Sequence, residues 1–262
     1  MGEAAGLYFE DHGPAGAPVL ILSSGLGGSA DYWTPNLAAL AQNHRVILYD
    51  HRGTGRSARE LAGDLTIAAM GADLLALMDA LAIPSATIVG HAIGGMIGLA
   101  LAVAAPERIE RVVAINAWGK LDPHTARCFD IRLALLRDSG PRAFLHAQPL
   151  FLFPAEWISR HHDALLAEEE HQLARFPGAE MMQRRIAAAR RFAPGDALAR
   201  VEARVLCVAS RDDMLVPSHC SEALADALPH AQVAWLDTGG HACNVTRAEE
   251  FNMWLLAWLD SE

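Results

Sequence analysis

Short runs dominated by apolar residues recur along the chain, at residues 19–22, 45–49, 86–89, 112–115, 204–209 and 232–236. Each is four to six residues long and rich in Val, Ile and Leu, the pattern of strands buried on both faces of a parallel sheet. A shorter first strand is predicted over residues 7–10, with a turn between Pro14 and Pro18. Between the runs the apolar spacing changes to that of helices. Ile67, Met70, Leu74, Leu77, Met78 and Leu81 form one stripe, and Phe251, Trp254, Leu255 and Trp258 form another in a final helix over about 246–259. Thr34-Pro35 reads as the N-cap and first position of a helix. Strands alternating with helices predict an α/β fold with a mostly parallel central sheet and helices on both faces.

One region breaks the alternation. From about residue 118 to 199 the pattern is helical, without a convincing strand, and is punctuated by Pro123, Pro141, Pro149, Pro154, Pro177 and Pro194. It reads as a helical cap inserted after the strand that ends near Asn116. The expected organisation is a core of residues 1–117 and 200–262 and a cap of 118–199, forming one structural unit. Glu168-Glu169-Glu170 and Arg184-Arg185 read as solvated faces of the cap.

Composition narrows the partners. The net charge of −10 argues against nucleic acid, because phosphate binding needs a basic surface. No apolar run approaches the roughly 20 residues of a membrane span, and the first residues lack the basic and apolar regions of a signal peptide. Gly2 does not open a myristoylation motif, since residue 6 is glycine. Cys128, Cys207, Cys220 and Cys243 form no C-x-x-C pair, so neither a disulfide framework nor a zinc site is expected, and a reducing cytoplasm is. The twelve histidines include no metal-ligand spacing, and His161-His162 reads as a solvated helix face. No cofactor is expected. The expected partner is a small-molecule substrate; a closed homodimer is the commonest form if the chain self-associates.

The chemistry centres on Gly90-His91-Ala92-Ile93-Gly94, where an apolar run meets an alanine-rich helix. Strand, Gly-x-x-x-Gly turn and helix make the layout of a nucleophile elbow, in which glycines let two backbones pass closely and the central residue takes a strained φ. That central residue is Ala92, whose methyl group cannot attack anything. An acid and a histidine follow in the order this layout requires: Asp213, preferred over Asp212 because it lies four residues before Pro217, and the glycine-flanked His241. Both lie beyond the carboxyl ends of predicted strands, where open α/β sheets bind ligands. Asp213 would orient the imidazole of His241, leaving its other nitrogen as a base. The backbone N–H groups of Leu26 and Ile93 are in position for an oxyanion hole, which needs no side chain.

These residues resemble the α/β-hydrolase superfamily from end to end. One branch, which serves the Rut pathway of pyrimidine degradation, is resembled closely. The matching segments include Ser24-Gly25-Leu26-Gly27-Gly28-Ser29, Tyr32-Trp33, Asn116-Ala117-Trp118, Arg127-Cys128-Phe129, Ala147-Gln148-Pro149 and Cys243-Asn244-Val245-Thr246. Alanine at the elbow occurs in that branch, which makes Ala92 a native feature. The resemblance implies hydrolysis of a small C–N compound after uracil ring opening, either carbamate or 3-aminoacrylate, with release of ammonia. Two other readings stay open: a degenerate hydrolase acting as a binding or scaffold module, and a serine esterase bearing a Ser-to-Ala change.

Weaker pocket assignments are Trp33, packed near the oxyanion loop, and Trp118, His124 and Arg127, where the sheet hands over to the cap. A guanidinium there could hold a small carboxylate or carbamate. Asp50 is expected to fix the loop at Arg52. Lys120, the sole lysine, is the single candidate for a Schiff base.

Overall fold

The computed structural model describes residues 1–60 and 63–261. Eight strands form one sheet: β1 (Gly2–Ala4), β2 (Leu7–His12), β3 (Val19–Ser23), β4 (Arg45–Tyr49), β5 (Ala86–His91), β6 (Ile109–Ile115), β7 (Arg204–Ser210) and β8 (Ala231–Leu236). Their order is β1-β2-β4-β3-β5-β6-β7-β8. The β1–β2 and β2–β4 pairs are antiparallel and the rest are parallel. The helices of the core are α1 (Thr34–Leu40), α2 (Ile67–Ala80) and α3 (Ile93–Ala104). Between β6 and β7 come α4 (Pro123–Leu152), α5 (Ala155–Arg160), α6 (His162–Ala174) and α7 (Ala179–Arg191). The chain then forms α8 (His219–Asp226), α9 (Cys243–Thr246) and α10 (Ala248–Leu259).

The apolar runs divide by alternation between two cores, because successive strand side chains point to opposite faces. Ile21, Ile88, Val112 and Val205 join one core with α2 and α3, while Leu22, Val89, Val113 and Leu206 join the other with α1 and α10. All six residues of β5 are buried, as expected of a central strand covered on both sides.

Sheet order decides where the site lies. The chain leaves β3 to build β4 on one side and returns to build β5 on the other. The loops after β3 and β5 therefore part at a switch point, and a crevice opens between them at the carboxyl ends of the strands. The first carries Leu26 and the second Ala92.

Boundaries differ from the sequence reading where local geometry intervenes. Thr34 is inside α1, because a 3₁₀ turn over Ala30–Trp33, capped by the Ser29 side chain, already winds the chain before it. The last helix splits at Arg247, which leaves helical geometry at φ −126. Thr66 accepts a hydrogen bond from the Ala69 N–H and starts α2 as its spacing predicts. The helices between β6 and β7 include one 30-residue element, α4, that bends at Gly140, whose φ of 82 interrupts it. Among the described residues, no helix is long and apolar enough to cross a membrane.

Candidate active site

The tight turn between β5 and α3 exists because two positions have no side chain. A Cβ on Gly90 would lie 2.1 Å from the Gly94 carbonyl carbon, and one on Gly94 would lie 1.9 Å from the Ser23 oxygen. Between them Ala92 sits at φ 48, ψ −108, the strained geometry of an elbow, with its methyl group lining a cavity. The strand-to-helix geometry that would present a serine is thus complete without one. Nor does a thiol replace it. All four cysteines are buried and reduced, none lines the cavity, and burial pushes Cys207, Cys220 and Cys243 up to about 12.

His241 faces this cavity from the loop after β8. Its Nδ1 donates to Asp213 Oδ2 at 2.8 Å, and both side chains are almost fully buried. This fixes the tautomer that leaves Nε2 with a free lone pair. The other Asp213 oxygen accepts from the N–H groups of Leu215 and Val216 at 2.7 and 2.9 Å. Asp212 has a different task. It accepts from the N–H groups of Gly239 and Gly240 and from the Ser210 hydroxyl, which pins the histidine loop. Asn116 pins the same loop from β6: at φ 47 it donates to the carbonyl of His241 at 2.7 Å and accepts from the N–H of Ser210. Its structural task is absent from the sequence reading, which used Asn116 to mark the strand end and as part of a matching segment.

Leu26 and Ile93 line the cavity too. Ile93 is the first residue of α3, so its N–H has no partner within the helix. Neither N–H donates to an acceptor among the described residues. Behind the Leu26 loop lies Arg185 from α7, entirely buried. Its Nε donates to the Leu26 carbonyl at 2.7 Å, and its Nη2 reaches the Gly25 carbonyl at 3.1 Å and His51 Nδ1 at 3.0 Å. This corrects the reading of Arg185 as a solvated face. It lies in the apolar stripe of Met182, Ile186 and Ala189, a signal that could have found it. His91, beside the elbow, is buried against Tyr32 at 4.9 Å and donates through Nε2 to the carbonyl of His241. Burial holds the imidazoles of His51 and His91 well below the usual histidine range, so both are neutral.

The cavity measures about 690 Å³ and is mainly apolar. Trp118 lines it, packed on Phe129 at 6.2 Å. The other three weak pocket assignments do not reach it. Trp33 is fully buried in the core shared with α1 and α10. His124 and Arg127 lie on the exposed side of α4, and His124 donates to the Met214 carbonyl at 2.8 Å. The inward stripe of α4 runs through Thr125, Cys128, Phe129, Arg132 and Leu136, so the arginine of α4 that lines the cavity is Arg132, with Arg175 lining it from beyond α6. Lys120 is exposed, outside the cavity. Asp50 fixes the loop that carries Arg52, as expected, and does so through Arg56. It accepts from the N–H groups of Ala30 and Arg56 and pairs with the Arg56 guanidinium, while Arg52 pairs with Asp73.

Away from the cavity, Asp122, His219 and Cys220 bring three potential ligand atoms within 4.8 Å of one another, a grouping that spacing in sequence cannot reveal. Asp122 already caps α4 and accepts from His219, and the Cys220 thiol is held protonated.

An eight-stranded, mostly parallel sheet with an elbow after β5 and an Asp–His pair beyond β7 and β8 is the arrangement of one large class of enzymes. A family model described as alpha/beta hydrolase fold matches residues 18–248, and the chain belongs to that family. Within it the chain is a member of the RutD group. A Caulobacter vibrioides protein named "Putative carbamate hydrolase RutD" is 51% identical over 99% of this chain and 97% of its own. A relative of the same name from Pseudomonas savastanoi is 48% identical over 95% of this chain and 96% of its own. Among solved structures, the enol-lactonase of Burkholderia xenovorans is 27% identical, with a TM-score of 0.87 over 97% of this chain and 96% of that one.

Proposed function

We propose that this chain hydrolyses a small, labile C–N compound in the Rut route of pyrimidine catabolism, and that water is the nucleophile. The substrate candidates are carbamate and 3-aminoacrylate. The observation that carries the reading is the buried Asp213–His241 pair, 2.8 Å apart, facing the same cavity as Ala92, Leu26 and Ile93. The names of the relatives support the substrate class.

His241 Nε2 takes a proton from water as its oxygen bonds to the substrate carbon. With carbamate, the N–H groups of Leu26 and Ile93 hold an oxygen already on that carbon, the proton passes to the departing nitrogen, the C–N bond breaks, and ammonia and bicarbonate leave. 3-Aminoacrylate has no oxygen there and reacts as its imine tautomer, in which a proton has moved from nitrogen to C2. Water adds to the imine carbon, and His241 returns the proton to nitrogen. The hydroxyl of the resulting carbinolamine gives its proton to the departing nitrogen by way of His241, so that the C–N bond breaks, ammonia leaves and the two N–H groups hold the new aldehyde oxygen. Asp213 keeps the imidazole in the required tautomer and stabilises its protonated form. Arg185 strengthens the hole from behind. The Gly25 carbonyl and the Leu26 N–H belong to one peptide group, so a guanidinium on the carbonyl polarises the N–H that faces the cavity.

Magnitudes limit this chemistry to labile substrates. Removing the nucleophile from a serine hydrolase costs about 10⁶-fold in kcat. Binding and an oxyanion hole alone retain about 10³–10⁴-fold over water, and a positioned base adds about 10²–10⁴-fold. That total suits a compound already prone to hydrolysis, not an unactivated amide. The test is ammonia release from fresh carbamate and from enzymatically generated 3-aminoacrylate, each run separately. Equal rates for the wild type and His241→Ala would end the proposal.

A further inference from the structure

Arg132 takes no part in the chemistry above. Of the two arginines on the cavity wall among the described residues, Arg175 pairs with Asp31 at 3.2 Å and Arg132 has no carboxylate partner. Its side chain lies in the inward stripe of α4 and is 2% exposed. Phe144 and Phe151 flank it at 4.9 and 5.5 Å from their ring centres. Among the described residues its one hydrogen bond runs from Nη2 to Gln148 Oε1 at 3.2 Å, Nε is closed off without an acceptor, and no carboxylate pairs with it. Burial pulls the group down to about 10, which still leaves it a cation at neutral pH.

Arg185 supplies the contrast. It is equally buried, but two carbonyls and an imidazole nitrogen meet its Nε and Nη2, and only Nη1 lacks an acceptor. A cation desolvated without such partners costs several kcal/mol. A planar carboxylate satisfies two donors of a guanidinium at once, and aromatic faces beside the pair keep water out. The wall around Arg132 is already ordered for this. Gln148 passes its own N–H to Gln172 at 3.1 Å, and Gln172 passes one to Glu168 at 2.8 Å. The Glu168 carboxylate is two side chains away and does not touch the guanidinium.

We propose that the cavity is a carboxylate site anchored by Arg132. Its ligand is a short-chain organic acid whose carboxylate pairs with the guanidinium while its body extends toward Ala92 and His241. The assignment rests on the reading of this cavity as the substrate site and narrows its substrate class. 3-Aminoacrylate carries a carboxylate separate from its C–N carbon. In carbamate a single carbon is both the anionic and the reacting centre, so it cannot sit at the anchor and extend beyond it.

Calorimetric titration with propionate and its uncharged counterpart propionamide tests the anchor without turnover. The wild type is expected to bind propionate at least about tenfold more tightly than propionamide. Arg132→Met should bring the two ligands within about twofold of each other, and Arg132→Lys should fall between, since an ammonium lacks the bidentate fork. Gln148→Glu covers the case in which Arg132→Met fails to fold: it places a carboxylate on the guanidinium, and propionate binding should fall about tenfold with the fold intact. Wild-type titrations that do not separate propionate from propionamide overturn the proposal, as does unchanged propionate affinity in Arg132→Met or Gln148→Glu. Such a result leaves His241 as the base, whereas a failed ammonia assay leaves these titrations standing.

Discussion

The strand ends and the helical layer above them form opposite sides of one cavity, and they are built from different chemistry. At the strand ends almost everything is backbone: the elbow, the two free N–H groups and the loops that Asp212 and Asn116 tie down. The pair of side chains that faces the elbow from there, Asp213 and His241, is joined by a hydrogen bond of 2.8 Å. The helical layer instead brings in two buried guanidinium groups. The Leu26 loop and His51 take up Nε and Nη2 of Arg185 and leave only its Nη1 without an acceptor, whereas Arg132 makes a single hydrogen bond, to Gln148. The elbow and its main-chain donors persist although Ala92 carries no nucleophile, because neither depends on that side chain. On the proposed reading, the helical layer sets which molecule meets them.

The largest expected effect breaks the strand-end side outright. Gly94→Ala drives a methyl group into the Ser23 carbonyl. It should destabilise the protein by about 3 kcal/mol or more, read as the fall in its urea midpoint. His241→Ala leaves the fold intact and should lower ammonia release by about 10²–10⁴-fold. Arg185→Met tests the bridge between the two sides. It strips the Gly25 and Leu26 carbonyls of their donor, so kcat should drop about tenfold with KM little changed, alongside a lower melting temperature. A change in KM alone would mean that Arg185 serves binding and not the hole. Ala92→Ser restores the hydroxyl at the elbow, and cleavage of p-nitrophenyl acetate should rise above the wild-type rate.

The smallest effect is one of pH. His51 and His91 are buried and neutral, with folded values well below the 6.5 of an unfolded histidine. Below about pH 6.5 the unfolded chain binds protons that the folded one does not, so this contribution to stability is complete at higher pH and lost as pH falls. The urea midpoint should decline between pH 7.5 and 5.5, and the decline should be shallower in His51→Gln. An equally steep decline in that variant would assign the loss to other groups.

Much of the strand-end side was legible in the sequence because its signals are local. Gly90 and Gly94 mark a turn that side chains would block, and Asp213 and His241 follow in a fixed order beyond strands that announce themselves. The helical layer was read poorly, because a helix face is set by rotation that neighbours decide. Arg127 and Arg132 lie on the same helix, and only their angle about its axis separates solvent from cavity. Arg184 and Arg185 are adjacent, yet Arg185 alone turns inward. Trp33 misled for a similar reason: an indole near a functional loop packs equally well beneath it.

The sequence alone determined the alternation of strands and helices, the elbow without its nucleophile and which aspartate and histidine stand beyond β7 and β8. Each depends on the nearest few residues or on the order of segments. Only the tertiary structure decided that Arg185 grips the oxyanion loop, that Arg132 reaches the cavity and that Asn116 anchors the histidine loop. These contacts join residues more than a hundred positions apart or turn on the packing of whole helices. Their chemistry exists only once the sheet order has brought the separate strand ends together beneath the helical layer.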